Sequence, residues 1–204
     1  LKNFLHLPDI AESWMYDNVK GDIKIEELYA EYDLINNHII ENSIQGKAQI
    51  KDAKIRFHKD VDAVNTKSLD IFFKDNRLHF NLMEPMFKDK KLDGSFVLIN
   101  NLTSEKNGQV DVFLKTNSKL DKDILDILKA YNITLPIIQK NGNTQASLLM
   151  KFPYDTTKNM STYGEFFLND AKVAINNFEF ESKNAEVILD DSLIKIKNGD
   201  FKYK

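Results

Sequence analysis

The chain has 204 residues, of which 42% are hydrophobic and 29% charged; this is the composition of a folded chain and fits one large domain or two small ones. A net charge of -3, with no concentrated basic stretch, argues against nucleic acid as a partner. Because the chain has no cysteine, disulfides, thiol catalysis and cysteine-based zinc sites are excluded.

The N-terminal residues predict a short helix. Pro8 and Asp9 suit a first helical turn, and Gly21 marks the change to another periodicity. One face of this helix would carry Ile10, Ala11, Trp14 and Met15. The sequence has no run of about 18 apolar residues, the length that spans a bilayer as a helix. Since the chain starts at Leu1 and the alternation runs to its end, we expect a fragment of a longer protein.

From Ile23 onward, apolar residues alternate with charged ones, which predicts about a dozen half-buried strands. The phase of this alternation shifts at residues 26–27 and again at 51–52, where we expect bulges or bends. A polar turn at residues 74–76 predicts a hairpin between its flanking strands, and further turns are expected at 141–143 and 190–191.

Residues 121–131 predict the one clear helix within the run of strands. Asp121 and Asp123 lie at its N-terminal end, where the helix dipole favours negative charge. Its apolar stripe consists of Ile124, Leu125, Ile127, Leu128 and Tyr131.

The predicted fold is mainly β, over a single domain comprising residues 1–204. We expect a long curved antiparallel sheet, either groove-like or an open sandwich, with one or two short amphipathic helices packed on it. A weak internal repeat relates residues 44–82 to 162–196: each has a glycine, then Asp-Ala-Lys six residues later (from Asp52 and Asp170), then a hairpin. Chance similarity between alternating strands would give the same pattern.

No constellation of reactive residues is visible in the sequence. The histidines, His6, His38, His58 and His79, lack metal-ligand spacing, and the carboxylates are scattered over turns and strand ends. Nucleotide-binding and nucleophile motifs are also missing. We therefore expect no catalytic residue, no metal site, no cofactor and no enzyme activity.

Each alternating strand has one apolar face, here called the dry face, and one polar face that contacts water. The dry face must be covered. A second sheet or a helix would cover it in an ordinary closed core. Alternatively, a long curved sheet leaves part of the dry face open as a groove for acyl chains, since each buried methylene contributes roughly 0.8 kcal/mol without any polar contact.

The order of these features is similar to that of the AsmA-like superfamily, especially its central YhdP-type domain. The resemblance covers most of the chain, and its motifs are glycines and alternations. The segments that carry it are the helix with Trp14, Ile44-Gln45-Gly46, Asp52-Ala53-Lys54-Ile55, the hairpin 69–82, Leu92-Asp93-Gly94-Ser95-Phe96, the helical segment 120–135, and 146–153.

The resemblance implies a large envelope protein of double-membrane bacteria, anchored in the inner membrane, whose periplasmic β-groove takes part in moving phospholipid between the two membranes. This chain would be one segment of that groove, located in the periplasm, with the anchor outside it. The implied partners are phospholipid or another acyl-chain lipid and further β repeats of the parent chain. Exposed edge strands also predict self-association of the fragment.

The alternation predicts which side chains lie on the dry face and would line a groove. These are Ile55, Phe57, Leu69, Ile71, Phe73, Leu78, Phe80, Leu82, Phe96, Leu98, Val110, Val112, Leu114, Leu148, Met150, Phe152, Phe166 and Leu168. The helix Ile124–Tyr131 would lie against that face as a plug or lid. The alternative is that the same residues form a closed core, in a structural or protein-interaction module of the envelope that conducts no lipid.

Overall fold

The computed structural model describes residues 12, 16–40, 43–102, 104, 106–135, 137–175 and 178–203. Within these ranges the chain forms fifteen strands and one helix, α1 (Lys122–Ala130). The strands are β1 (Val19–Tyr29), β2 (Tyr32–Asp33), β3 (His38–Ile39), β4 (Gln45–Ile55), β5 (Val64–Lys74), β6 (Arg77–Met83), β7 (Met86–Phe87), β8 (Lys90–Lys91), β9 (Phe96–Asn100), β10 (Gln109–Ser118), β11 (Ile137–Pro153), β12 (Ser161–Ile175), β13 (Phe178–Asp190), β14 (Leu193–Gly199) and β15 (Lys202–Tyr203).

Thirteen of these strands form one antiparallel sheet in the order β1-β4-β5-β6-β9-β10-β11-β12-β13-β14. Strand β7 joins β5 to β8, and β15 pairs with β13. Strands β2 and β3 form a separate small hairpin. The predicted mainly-β fold with one large antiparallel sheet is confirmed, and so is the hairpin with its turn at Asp75–Asn76. Most of the predicted N-terminal helix, including Trp14, lies outside the described residues.

The sheet curls around α1. Val64 on β5 and Phe166 on β12 border the same cavity beneath the helix. These strands are five positions apart in the sheet, which is about 24 Å along a flat sheet. That cavity has a volume of only about 50 Å³, so the sheet must bend to bring the two side chains to it.

One face of the sheet is apolar from end to end. Antiparallel partners point their side chains to the same face. The registers therefore place a row of such side chains across neighbouring strands: Ile25, Ala48, Ile71, Phe80, Val97, Val112 and Met150. We call this the dry face, and the opposite one the outer face.

Both predicted phase shifts are found. The β1–β4 register shifts between Ile25 and Glu27, and a second irregularity lies opposite Asp52, which has a φ of 48°. The expected turn at residues 141–143 is wrong, because β11 runs through it as a continuous strand. Gly142 has a φ of 84° and makes a bulge there, opposite a left-handed Asp170 (φ 44°).

The two stretches of the predicted repeat share local geometry. After each left-handed aspartate comes a buried alanine, and each alanine pairs with a buried hydroxyl residue, Thr66 or Ser182. Each hydroxyl donates a hydrogen bond to the carbonyl oxygen two residues further on, at 2.8 Å for Thr66 and 2.9 Å for Ser182. The repeat stays a prediction, and these matched contacts support it.

The prediction that Phe96 and Leu98 lie on the dry face is wrong. Phe96 pairs with Phe113, and their rings stack with centroids 5.1 Å apart on the outer face. Val97 and Ile99 point to the dry face instead and are almost fully buried. A shift of one residue along a strand exchanges its two faces, so this change moves both side chains to the opposite side of the sheet.

Candidate functional site

An open apolar cleft of about 550 Å³ lies on the dry face at the N-terminal end of the sheet. Its walls come from four neighbouring strands, and Val19, Ile44 and Leu102 also line it. The apolar strand residues that line it are Ile23, Ile25 and Leu28 of β1, Ala48 and Ile50 of β4, Ile71 and Phe73 of β5, and Leu78 and Phe80 of β6.

The outer wall of the cleft is edge strand β1. Ile23, Ile25 and Leu28 are 63%, 55% and 62% exposed, although they point to the same face as the buried core. The bulge after Ile25 keeps Leu28 on that face, where it pairs with Gly46. Among the described residues no strand pairs with the free edge of β1, so its dry-face side chains are open to solvent.

The ion pair next to the cleft lies on the outer face of the sheet, where Lys47 and Phe72 are cross-strand partners. Lys47 Nζ lies 2.9 Å from Glu26 Oε2 and 5.9 Å from the centroid of the Phe72 ring. The hydrogen bond between Lys47 and Glu26 raises the pKa of the lysine and lowers that of the glutamate. Lys20 Nζ donates to the Tyr16 carbonyl oxygen at 3.1 Å. Because the strand side chains that line the cleft on the dry face are apolar, the cleft suits apolar material rather than one sign of charge.

Helix α1 covers the dry face further along the sheet. Asp121 caps its N-terminus by accepting hydrogen bonds from the backbone N–H groups of Asp123 and Ile124. The helix buries Ile124, Ile127 and Leu128, and the residue that follows it, Tyr131, is also buried. The small cavity beneath α1 is bordered by side chains of the sheet, including Leu114, Leu148 and Phe166.

Polar contacts tie both ends of α1 to other parts of the chain. At the C-terminal end, Tyr131 Oη donates a hydrogen bond of 2.6 Å to the Phe57 carbonyl oxygen, and burial raises the pKa of the Tyr131 hydroxyl. At the N-terminal end, Lys90 of β8 is only 5% exposed and contacts Asp121 at 2.9 Å and Asp89 at 2.7 Å.

The charge state of Lys90 follows from these contacts. Burial by itself lowers the pKa of Lys90, but the hydrogen bonds to Asp89 and Asp121 outweigh it, so the net pKa is raised. The lysine therefore stays charged. Its neighbour Lys88 adds contacts to Asp123 and Asp62. We call Lys88, Lys90, Asp121 and Asp123 the α1 latch.

The structure distributes the predicted dry-face residues over three environments. Ile71, Phe73, Leu78 and Phe80 line the open cleft. Phe57, Leu114, Leu148 and Phe166 lie beneath α1. The other predicted residues that point to the dry face belong to the hydrophobic core or pack against it: Ile55, Leu69, Leu82, Val110, Val112, Met150, Phe152 and Leu168.

Sequence reasoning missed the most open part of the cleft. Ile23, Ile25 and Leu28 were recognised as strand residues but not as site residues. The available signal was the phase shift at residues 26–27, which carries Leu28 to the same face as Ile25. Their exposure could not be read from the sequence, because it depends on β1 being an edge strand.

The remaining titratable groups offer no reactive cluster within the described residues. No group of three or more histidine and carboxylate side chains there is arranged to hold a metal ion. His79 lies on the outer face beside Phe96, where burial lowers its pKa. In the part of the chain that the structure describes, no helix has the length and apolar character needed to cross a bilayer.

These observations define a class: a protein with one open antiparallel sheet whose apolar face is partly covered by a helix and partly exposed as a cleft. The chain belongs to the YhdP protein family, whose model matches residues 7–203. The resemblance to an AsmA-like, YhdP-type domain is thereby confirmed. No curated protein and no solved structure matches the chain at a significant level.

Proposed function

We propose that this chain is a segment of an AsmA-like envelope protein that presents an apolar β-groove to phospholipid in transit between the inner and outer membranes. The observation that carries the proposal is the cleft of about 550 Å³ with its apolar walls. Membership of the YhdP family supports it. In this role the protein is non-catalytic and has no cofactor.

The cleft suits acyl chains for a physical reason. Removal of apolar surface from water contributes roughly 0.8 kcal/mol per methylene and needs no specific polar partner. The exposed side chains of Ile23, Ile25 and Leu28 would lose their contact with water when an acyl chain covers them. A contiguous exposed apolar surface of this kind usually marks a site that binds a ligand, a membrane or another protein.

The proposal also places the protein in the periplasm, held to the inner membrane by a segment outside these residues. Further β repeats of the parent chain would extend the sheet at its edges. Two equivalent pairings support this: β7 joins β5 at Asn65, directly before Thr66, and β15 joins β13 at Glu181, directly before Ser182. In the repeat, β14 corresponds to β6, and β6 pairs with the strand that follows it in the sheet, β9. A further repeat would therefore place a strand on the free edge of β14. The same exposed edges favour self-association of the isolated fragment.

A second candidate is a closed structural or protein-interaction module of the envelope. The observation that favours it is the burial of most predicted groove residues, with Ile55, Leu69 and Met150 at most 1% exposed. In that role the cleft at β1 would be covered by protein and not by lipid.

A pair of neighbouring phenylalanines separates these candidates. Phe73 lines the cleft, whereas Phe72 points to the outer face and is 36% exposed. Each is replaced in turn by the photo-reactive residue p-benzoylphenylalanine, and the protein is produced in a double-membrane bacterium, irradiated and examined by intact mass spectrometry. We expect a phospholipid adduct at position 73 and not at position 72.

Two other results would contradict this expectation. An adduct at both positions would indicate non-specific contact with membranes, which contradicts a groove. Protein adducts at position 73 without lipid, together with no phospholipid in the purified protein, would favour the closed module.

A further inference from the structure

The apolar face that lines the cleft continues without interruption beneath α1. The row that starts at Ile71 and Phe80 in the cleft continues through Val97 and Val112 to Met150. The next dry-face residues along β10 and β11 are Leu114 and Leu148, and both border the cavity beneath α1. These side chains belong to, or pack against, one hydrophobic cluster, which also contains the buried side chains of α1. The apolar face therefore extends from the cleft to the cavity beneath α1 without a polar row between them.

The connection that contains α1 is longer than the topology requires. Strands β10 and β11 are antiparallel neighbours, and such neighbours can be joined by a two-residue turn. Here residues 119–136 lie between them, and α1 occupies the middle of that connection. An insertion that packs on the dry face needs an explanation other than linking two strands.

The cover over this face is short and incompletely packed. α1 has nine residues and leaves a cavity of about 50 Å³ beneath it, bordered by Leu114, Leu148 and Phe166. These sheet residues are apolar like those of the open cleft. An acyl chain on this surface would replace the contacts that Ile124, Ile127 and Leu128 make now, with chemistry of the same kind.

The ends of α1 are held by polar contacts that can break without loss of the sheet. Lys90 contacts Asp121 and Lys88 contacts Asp123, both across the gap between β7–β8 and the helix N-terminus. One hydrogen bond, from Tyr131 to the Phe57 carbonyl, holds the segment that follows the helix. None of these three contacts is part of the ladder that pairs β10 with β11.

We propose that the surface beneath α1 is a second acyl-chain site, continuous with the cleft, which α1 closes in this structure and which opens when the α1 latch releases. This inference rests on the proposed function for the identity of the ligand, but the opening of α1 stands without it.

The opening can be measured in the absence of lipid, because the chain has no cysteine. A single cysteine at Leu148→Cys lies beneath α1. One at Leu189→Cys is also buried and lies in the same row, but it does not border the cavity beneath α1. Each is made with the native latch and with Lys90→Met. The rate of maleimide labelling is followed by intact mass spectrometry.

We expect Lys90→Met to accelerate labelling at position 148 roughly tenfold, the factor expected for loss of one hydrogen bond between charged groups, and to leave position 189 unchanged. The matched control is Lys122→Met, which removes the Lys122–Asp126 pair within α1 and leaves the latch intact. Equal acceleration at 148 and 189 would mean global unfolding and would overturn the proposal, as would no acceleration at 148. Should Lys90→Met fail to fold, Lys88→Met releases the same end of the helix and is held to the same outcomes.

The effect of lipid on α1 is measured as the distance between two spin labels, with dodecylphosphocholine as the probe. One label is at Lys129→Cys on the exposed face of α1 and the other at Lys115→Cys on the sheet. We expect the probe to lengthen the distance between the labels and a labelled pair within the sheet to stay constant. An unchanged distance alongside a lipid adduct at Phe73 would overturn the second site and leave the proposed function intact. Latch-dependent labelling at position 148 without any adduct at Phe73 would support opening of α1 and contradict the proposed function.

Discussion

Asp52 and Asp170 both have left-handed backbone, with φ angles of 48° and 44°, and each lies beside a glycine of the neighbouring strand. A Cβ on Gly21 would lie 2.9 Å from the Lys51 carbonyl oxygen, and one on Gly142 would lie 2.4 Å from that of Asp170. Left-handed backbone is rare for residues other than glycine and is tolerated by aspartate. The two bulges bend the sheet at matching places.

Substitution of Gly142 tests this arrangement. Gly142→Ala should lower the free energy of unfolding by about 2–4 kcal/mol, because a Cβ there meets backbone atoms and the φ of 84° disfavours an L side chain. Gly46→Ala is the matched control, since its Cβ would approach no atom closer than 3.4 Å, and should change stability by less than about 1 kcal/mol. Urea unfolding measures both. Similar losses for the two variants would contradict the importance of the bulge.

Two aspartate substitutions distinguish the buried floor of the cleft from its exposed wall. Phe80 is 2% exposed, so Phe80→Asp should destabilise the fold by at least about 3 kcal/mol through an unpaired buried charge. Ile25 is 55% exposed, so Ile25→Asp should change the free energy of unfolding by at most about 1 kcal/mol and still abolish lipid adducts at Phe73. Thermal unfolding and the cross-linking yield test the two parts of this prediction. An undiminished adduct with Ile25→Asp would argue against β1 as a wall of the site.

The α1 latch makes stability depend on acid pH. The hydrogen bond from Lys88 lowers the pKa of the Asp123 carboxyl, so its contribution is complete above the usual pKa of about 3.9 and is lost as the pH falls through the lowered value. Lys88→Met should therefore reduce the loss of unfolding free energy below about pH 4, measured by urea unfolding at a series of pH values. Lys91→Met, at an exposed neighbouring lysine, should leave that dependence as in the native protein. An identical acid dependence in Lys88→Met and the native protein would contradict the prediction.

His79 predicts a further loss of stability on acidification, in the same direction as Asp123 but at a higher pH. Its Nε2 is buried without a hydrogen-bond partner among the described residues, and burial lowers its pKa. The unfolded chain therefore binds the proton more readily, so the unfolding free energy should be highest above about pH 6.5 and fall as the pH drops toward the lowered pKa of the native state. His79→Phe and His79→Gln should both remove this part of the pH dependence. Persistence of the dependence in either variant would assign it to another group.

Local pattern identified most of the strands and the bulges. Alternation of apolar and charged residues predicted the β5–β6 hairpin and the long strands, and its phase shifts located the irregularities at residues 26–27 and near Asp52. The stripe from Ile124 to Tyr131 predicted α1. These features could be predicted because a strand or helix with one buried side has apolar residues at the spacing of its own repeat, about every second residue in a strand and about every 3.6 residues in a helix.

Strand β9 is a case in which the local pattern could not predict which side chains point to the dry face. Phe96, Val97, Leu98 and Ile99 are all apolar, so the segment has no internal alternation from which to choose a face. The choice was made by pairing: Val97 aligns with Phe80 and Val112, and this register carries Phe96 to the outer face. Likewise Asn141-Gly142-Asn143 has the composition of a turn, and only its pairing with β12 makes it a bulge.

The sequence by itself determined that this protein is a long antiparallel sheet with one apolar face and one amphipathic helix, because period and composition act locally. Only the tertiary structure decided which part of that face is open. Ile25 and Met150 lie in the same row, yet one is 55% exposed and the other fully buried. The difference arises because β1 is an edge strand, whereas β11 lies between two other strands in the part of the sheet that curls around α1.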